Sequence, residues 1–180
     1  MDTVAVIDFE TTGISPDAGA RATEIAAVLV RDGRVVGRYQ SLMNAGAWVS
    51  PFIEQLTGIT NEMVRAAPPA AKVMREVADF VGAHPMVAHN ASFDCRFWDA
   101  ELGRIRRARV QAFACTMLLA RRIYPEAPNH KLGTLVEFAG LPVAGRHHRA
   151  LADAEMAASL LLKLEQELER RFGLGPITHE

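Results

Sequence analysis

Three short stretches of this 180-residue chain carry side chains able to do chemistry together. The first is Asp8-Phe9-Glu10, which leaves the apolar run Val4-Ala5-Val6-Ile7 and leads into Thr11-Thr12-Gly13. Side chains alternate along a strand, so Asp8 and Glu10 share one face and Phe9 takes the other. Two carboxylates at one strand end repel each other unless a cation lies between them, and a hard divalent ion is the natural partner. The second stretch, His89-Asn90-Ala91-Ser92-Phe93-Asp94, repeats the arrangement: apolar run, polar turn, then a carboxylate in the first turn of a helix. The third, His147-His148-Arg149-Ala150-Leu151-Ala152-Asp153-Ala154, sets Asp153 in the first turns of a small-residue helix, with histidines just before it. Each stretch alone has an ordinary reading. Asp8 and Glu10 would solvate a strand end, and Asp94 would complement a helix dipole. Asp153 would pair with Arg149 one turn earlier, and the histidine doublet would be a solvated loop.

The elements that must position these residues follow from periodicity. Val4–Ile7 reads as a strand buried on both faces. Thr23–Arg31 and Val35–Leu42 flank Asp32-Gly33 and form a hairpin. Residues 43–68 read as irregular, apart from a short helical stretch over Asn61–Ala66. Val73, Val77, Phe80 and Val81 have helical spacing after Pro69, which suits a first turn. Met86–His89 reads as a central strand, Phe93–Leu102 as a helix stopped by Gly103, and Val110–Ala114 as a further strand. Thr116–Ile123, Leu132–Ala139 and a long element from Ala150 to about Phe172 complete the helices. Early strands followed by alternating helices and strands give an α/β domain with a mixed sheet. Residues 1–172 are expected to form one domain, with 173–180 a frayed tail.

Composition excludes several classes. Apolar residues make up 49% and charged residues 23%, which is ordinary for a globular protein. No apolar run approaches the length of a membrane span, and Met1-Asp2-Thr3 lacks the basic start of a signal peptide. Cys95 and Cys115 supply neither a disulfide framework nor zinc spacing. A cytoplasmic protein with no membrane partner is expected. With 20 Lys+Arg against 21 Asp+Glu, any contact with nucleic acid must be local. The densest basic cluster is Arg104, Arg106, Arg107 and Arg109. It is either a phosphate contact or a solvated loop. Arg21 is a lesser candidate for substrate, and His130 reads as solvated.

Taken together, the three motifs resemble the DEDDh (DnaQ-like) 3′–5′ exonuclease family, the branch typified by the epsilon proofreading subunit of bacterial DNA polymerase III. The motifs are Asp8-Phe9-Glu10-Thr11-Thr12-Gly13, His89 to Asp94, and His148 separated by four residues from Asp153. Leu56-Thr57-Gly58-Ile59-Thr60 and Cys115–Pro125 fit the same pattern, and the resemblance covers residues 3–165. It implies an RNase H-like fold, a mixed five-stranded sheet flanked by helices. It also implies release of nucleoside monophosphates from a 3′ end, mainly of single-stranded DNA, in a proofreading or repair setting. RNA trimming occurs in the same branch. A silent polymerase-accessory module is disfavoured by the intact set Asp8, Glu10, Asp94, His148 and Asp153.

The resemblance further implies that Asp8, Glu10, Asp94 and Asp153 hold two divalent cations, Mg2+ or Mn2+, since all are oxygen donors. One ion would activate the attacking water and the other would stabilise the leaving 3′-oxygen. His148 would take the proton, as imidazole suits a base near neutral pH. Thr11, Thr12 and Gly13 would hold the terminal nucleotide through their backbone. Phe93 would lie beside the terminal base or in the core. Ile59 would wedge against that base or pack under its loop. His89 and Asn90 would orient their turn, with Asn90 also a candidate substrate contact. The chain stops soon after its last helix, so no stable polymerase tether is expected; the oligomeric state is left open.

Overall fold

The computed structural model describes residues 3–143 and 148–174. The first strand, β1 (Val4–Thr11), sits in the middle of a five-stranded sheet of order β3-β2-β1-β4-β5. Ala5, Ile7 and Phe9 enter one core and Val6 the other, so β1 is covered on both faces, as its unbroken apolar run requires. β2 (Ala22–Arg31) and β3 (Arg34–Leu42) form the expected antiparallel hairpin. Asp32 and Gly33 turn it at φ 50° and 73°, the positive values that a two-residue hairpin loop demands.

Two helices, α1 (Pro51–Thr57) and α2 (Asn61–Ala66), follow the hairpin, and α3 (Ala70–Val81) leads to β4 (Met86–Ala88). Next come α4 (Ala91–Arg104), β5 (Phe113–Cys115), α5 (Thr116–Ile123), α6 (Leu132–Phe138) and α7 (Ala150–Phe172). α3 and α4 cover one face of the sheet with Val73, Val77, Phe97 and Trp98. α7 covers the other with Ala150, Ala154, Ala157 and Ala158, whose small side chains let the helix lie close to Val6, Ala26 and Val28. The far side of α7 carries Leu160 and Leu164, which pack against Ile123 of α5 and Leu135 of α6.

β4 runs parallel to β1 and β5 parallel to β4, while β2 is antiparallel to β1. The carboxyl ends of β1 and β4 therefore open on the same rim, where α4 begins. In open α/β sheets this is the rim at which ligands bind.

Some boundaries differ from the sequence reading. The stretch read as irregular contains α1, capped by the Ser50 hydroxyl, which accepts the Ile53 N–H at 3.3 Å, and closed by Gly58 at φ 73°. The strand expected over Val110–Ala114 lies at Phe113–Cys115. Arg109 and Gln111 instead fold back, with the Gln111 side-chain amide donating to the Gly82 carbonyl and Arg109 to the Gln111 carbonyl. α4 runs through Gly103 to Arg104. Among the described residues no helix is long and apolar enough to cross a membrane. The expectation for the frayed tail lies outside the described residues beyond Leu174.

Candidate functional site

β1 delivers Asp8 and Glu10 to the α7 side of the sheet, because they share parity with Val6. α4 delivers Asp94 from its first turn, buried at 2% exposure, and the Phe9 N–H donates to Asp94 Oδ1 at 3.1 Å. α7 delivers Asp153 from its own first turn, and the His148 N–H donates to Asp153 Oδ2 at 3.1 Å. Asp8, Glu10, Asp94 and Asp153 are near enough to perturb one another. Burial, then Asp94, Glu10, Asp153 and Glu24, push the Asp8 carboxyl well above the usual range. Burial, then Asp153, Glu24 and Asp94, push Glu10 up to about 8, although Arg149 opposes this. Burial also pushes Asp94 up to about 8 against the stabilising N–H of Phe9.

Carboxyls held together in this way favour protons or cations between them. Ligand atoms of Glu10, His148 and Asp153 lie within 4.8 Å of one another. Oxygen-rich donors around shared space fit a hard divalent ion, and the residues present match that requirement. His148 is exposed and sits at φ 61°, held in a left-handed turn just ahead of α7. His147, its neighbour in the sequence motif, lies outside the described residues.

The other expected contacts divide. The Thr11 hydroxyl donates to the Gly13 carbonyl at 2.7 Å, and the Thr12 hydroxyl accepts the Arg21 N–H at 3.0 Å. The Thr12 N–H donates to the Arg21 carbonyl, so both threonines brace their own turn. Gly13 has a structural reason of its own: a Cβ there would stand 3.2 Å from Ala20 Cβ. Asn90 is exposed, at φ 66°, in the turn between β4 and α4. Phe93 is half-buried with its ring 4.9 Å from Phe97, at the edge of the core. Ile59 is fully buried with Val49 and Val64, the arrangement that the packing alternative describes.

Three further expectations are corrected. Arg149 does not pair with Asp153; its guanidinium binds Glu24 through Nη2 at 2.8 Å and Nε at 3.1 Å. Arg21 is committed to Glu101 by two bonds, at 2.7 and 2.9 Å, and donates also to the Ala45 carbonyl. His130 is more than solvated: its carbonyl meets His89 Nε2 at 2.9 Å, and its ring meets the Tyr124 carbonyl. With Nε2 donating, His89 Nδ1 accepts from the Thr116 hydroxyl at 2.9 Å. Burial pushes the His89 pKa down, so a neutral ring pins the β4–α4 turn, as expected of it.

Sequence reasoning missed Glu24. It lies directly across β1–β2 from Glu10, fully buried within a run otherwise read as apolar strand. A charged residue at an inward position of such a run is itself the signal, because it needs a partner.

Comparison with known proteins bears on this arrangement. The RNase_T family model, described as Exonuclease, matches residues 5–161. DNA polymerase III PolC-type of Oceanobacillus iheyensis is 39% identical over 168 residues, which is 93% of this chain and 12% of that protein. The PolC-type polymerase of Bacillus subtilis is 37% identical over 91% of this chain and 11% of its own length. The chain thus spans about an eighth of these relatives. Among solved structures, Exonuclease X in complex with 5′ overhanging duplex DNA is 31% identical, with TM-score 0.75 and 91% of each chain covered. E. coli Exonuclease I in complex with a dT13 oligonucleotide, 19% identical, shares the fold with TM-score 0.82 over 96% of this chain and 43% of its own. With the family model spanning most of its length, the chain belongs to the RNase_T exonuclease family.

Proposed function

We propose that the chain is a metal-dependent 3′–5′ exonuclease that releases nucleoside 5′-monophosphates from the 3′ end of single-stranded DNA. The observation that carries the proposal is the meeting of Asp8, Glu10, Asp94, Asp153 and His148 on one rim of an exonuclease fold. Relatives named as DNA polymerase III, and Exonuclease X in complex with duplex DNA, support DNA as the substrate. Residues 1–172 act as a single catalytic domain.

Asp8, Glu10, Asp94 and Asp153 would hold two divalent cations, Mg2+ or Mn2+. Such ions, when bound, neutralise the scissile phosphate and lower the pKa of the attacking water. The protein's own groups do the rest. The carboxylates stay close at the cost of mutual repulsion, which keeps the rim ready for positive charge. His148 takes a proton from the water, and its place ahead of α7 leaves its ring exposed to solvent and substrate. The Phe9 N–H fixes one oxygen of Asp94. The turn braced by Thr11 and Thr12 offers the Gly13 backbone to the terminal nucleotide.

The test is product analysis on matched single-stranded DNA, duplex DNA and RNA, each labelled at either end. Mononucleotides lost from the 3′ end of single-stranded DNA are expected. Loss from the 5′ end contradicts the polarity, and turnover of RNA alone contradicts the sugar preference.

A further inference from the structure

Glu24 and Arg149 lie beside the rim, and the charge they bring to bear on Glu10 is the one role described for them so far. Glu24 is fully buried, yet every bond it accepts is accounted for: Arg149 Nε at 3.1 Å and Nη2 at 2.8 Å, the Ala150 N–H at 3.1 Å, and Gln40 Nε2 at 2.8 Å. Burial alone would raise its pKa, but these bonds hold its carboxyl below the usual range. The Ala150 N–H belongs to the first residue of α7, one of the amides that a helix start leaves without an internal partner. Arg149, which precedes it, makes no side-chain cap of its own. A sheet carboxylate, 126 residues away in sequence, therefore caps this helix.

The consequence for the site is geometric. Glu24 stands opposite Glu10 in the β1–β2 register, so its position is fixed by the same strand pair that fixes Glu10. It grips residues 149 and 150. His148 is the residue before that grip, and Asp153 is one turn after it, with its N–H on the Arg149 carbonyl. We infer that the Glu24–Arg149 pair is a positioning device, which fastens the start of α7 to the strand beside Glu10 and so sets His148 and Asp153 against Glu10. The inference rests on the function proposed for that rim. It assigns Glu24 and Arg149 no contact with substrate.

Removing Arg149 alone leaves a buried charge without its main partner, which by itself threatens the fold. The decisive variant is therefore the double substitution Glu24→Gln with Arg149→Met, which removes both charges. Alongside it, Arg149→Lys keeps a charge but loses the fork. Three quantities are read on the full chain: thermal unfolding, amide exchange over residues 148–156, and kcat and KM for a labelled oligonucleotide at saturating Mn2+. The double variant is expected to unfold within a few degrees of the parent. Its amides at Ala150–Asp153 should exchange at least tenfold faster, and the rest of α7 as before. kcat should fall at least tenfold, KM should change less than threefold, and Arg149→Lys should recover most of kcat. A double variant with parental exchange overturns the inference, as does faster exchange with parental kcat; the pair then serves only to cancel charge. If the parent releases no nucleotide with metal while exchange still quickens in the double variant, the proposed activity fails and the positioning role stands.

Discussion

At the scale of single residues, the rim is a set of carboxyls held against their own repulsion. Glu10 and Asp94 lie at about 8 in the folded chain, against ordinary values of 4.5 and 3.8. Because these folded values are raised, the contribution to stability is fully present below the ordinary values. It is lost as pH rises toward about 8, where the folded groups ionise too. Thermal unfolding of the metal-free protein across that range should show the decline, and saturating Mn2+ should offset it most at the alkaline end. A Tm gain from Mn2+ that does not grow with pH would contradict the account. Asp8→Asn and Asp153→Asn should each lower turnover more than tenfold, equal to about 1.4 kcal/mol of barrier, while leaving the metal-free fold as stable or more so. His148→Ala should lower kcat at least 100-fold, about 2.7 kcal/mol, with little change in Mn2+ affinity measured by calorimetry. Equal losses of kcat and metal affinity in that variant would make His148 a ligand rather than the base.

At the scale of elements, what was legible in the sequence was whatever local pattern encodes. Strand alternation put Asp8 and Glu10 on one face, and the Asp32-Gly33 turn gave the hairpin. α1 was missed although Ser50-Pro51 and Gly58 bracket it, because seven residues hold too little periodicity to stand out from an irregular stretch. The motif residues were legible through family resemblance, whereas their supports were not. Glu24 with Arg149, and Arg21 with Glu101, are pairs 125 and 80 residues apart, and no local rule joins them. The second pair ties the turn after β1 to α4. Glu101 is 2% exposed and Arg21 brings the Ala45 carbonyl into the same knot. Glu101→Ala strands that guanidinium and should cost about 3 kcal/mol in denaturant unfolding. A loss below about 1 kcal/mol would return the pair to the class of weak surface bridges.

At the scale of the whole molecule, charge placement separates the carboxyl rim from the arginine cluster. Arg107 binds Asp79 at 2.7 Å and Arg109 binds Asp99 at 2.8 Å, while Arg104 lies 3.8 Å from Glu101. Asp79 is near the end of α3, close to where β4 starts, so this ion pair sits toward the opposite end of the sheet from Asp8 and Glu10. Along α4, the ten residues from Asp94 to Arg104 span about 15 Å. The solvated-segment alternative is the one this geometry favours. Replacing Arg106 and Arg107 by alanine should leave the slope of log affinity against log salt unchanged on single strands, and a flatter slope would put phosphate contacts there. The central claim, that this rim is a metal-dependent hydrolytic site for a 3′ end, has a direct measurement. A 5′-labelled single-stranded DNA is incubated with the protein and Mg2+, with and without excess EDTA, and the products are resolved by length. Stepwise shortening by single nucleotides is expected, abolished by EDTA and by Asp153→Asn. Shortening that persists in EDTA, or that survives Asp153→Asn at more than a tenth of the parental rate, would contradict it.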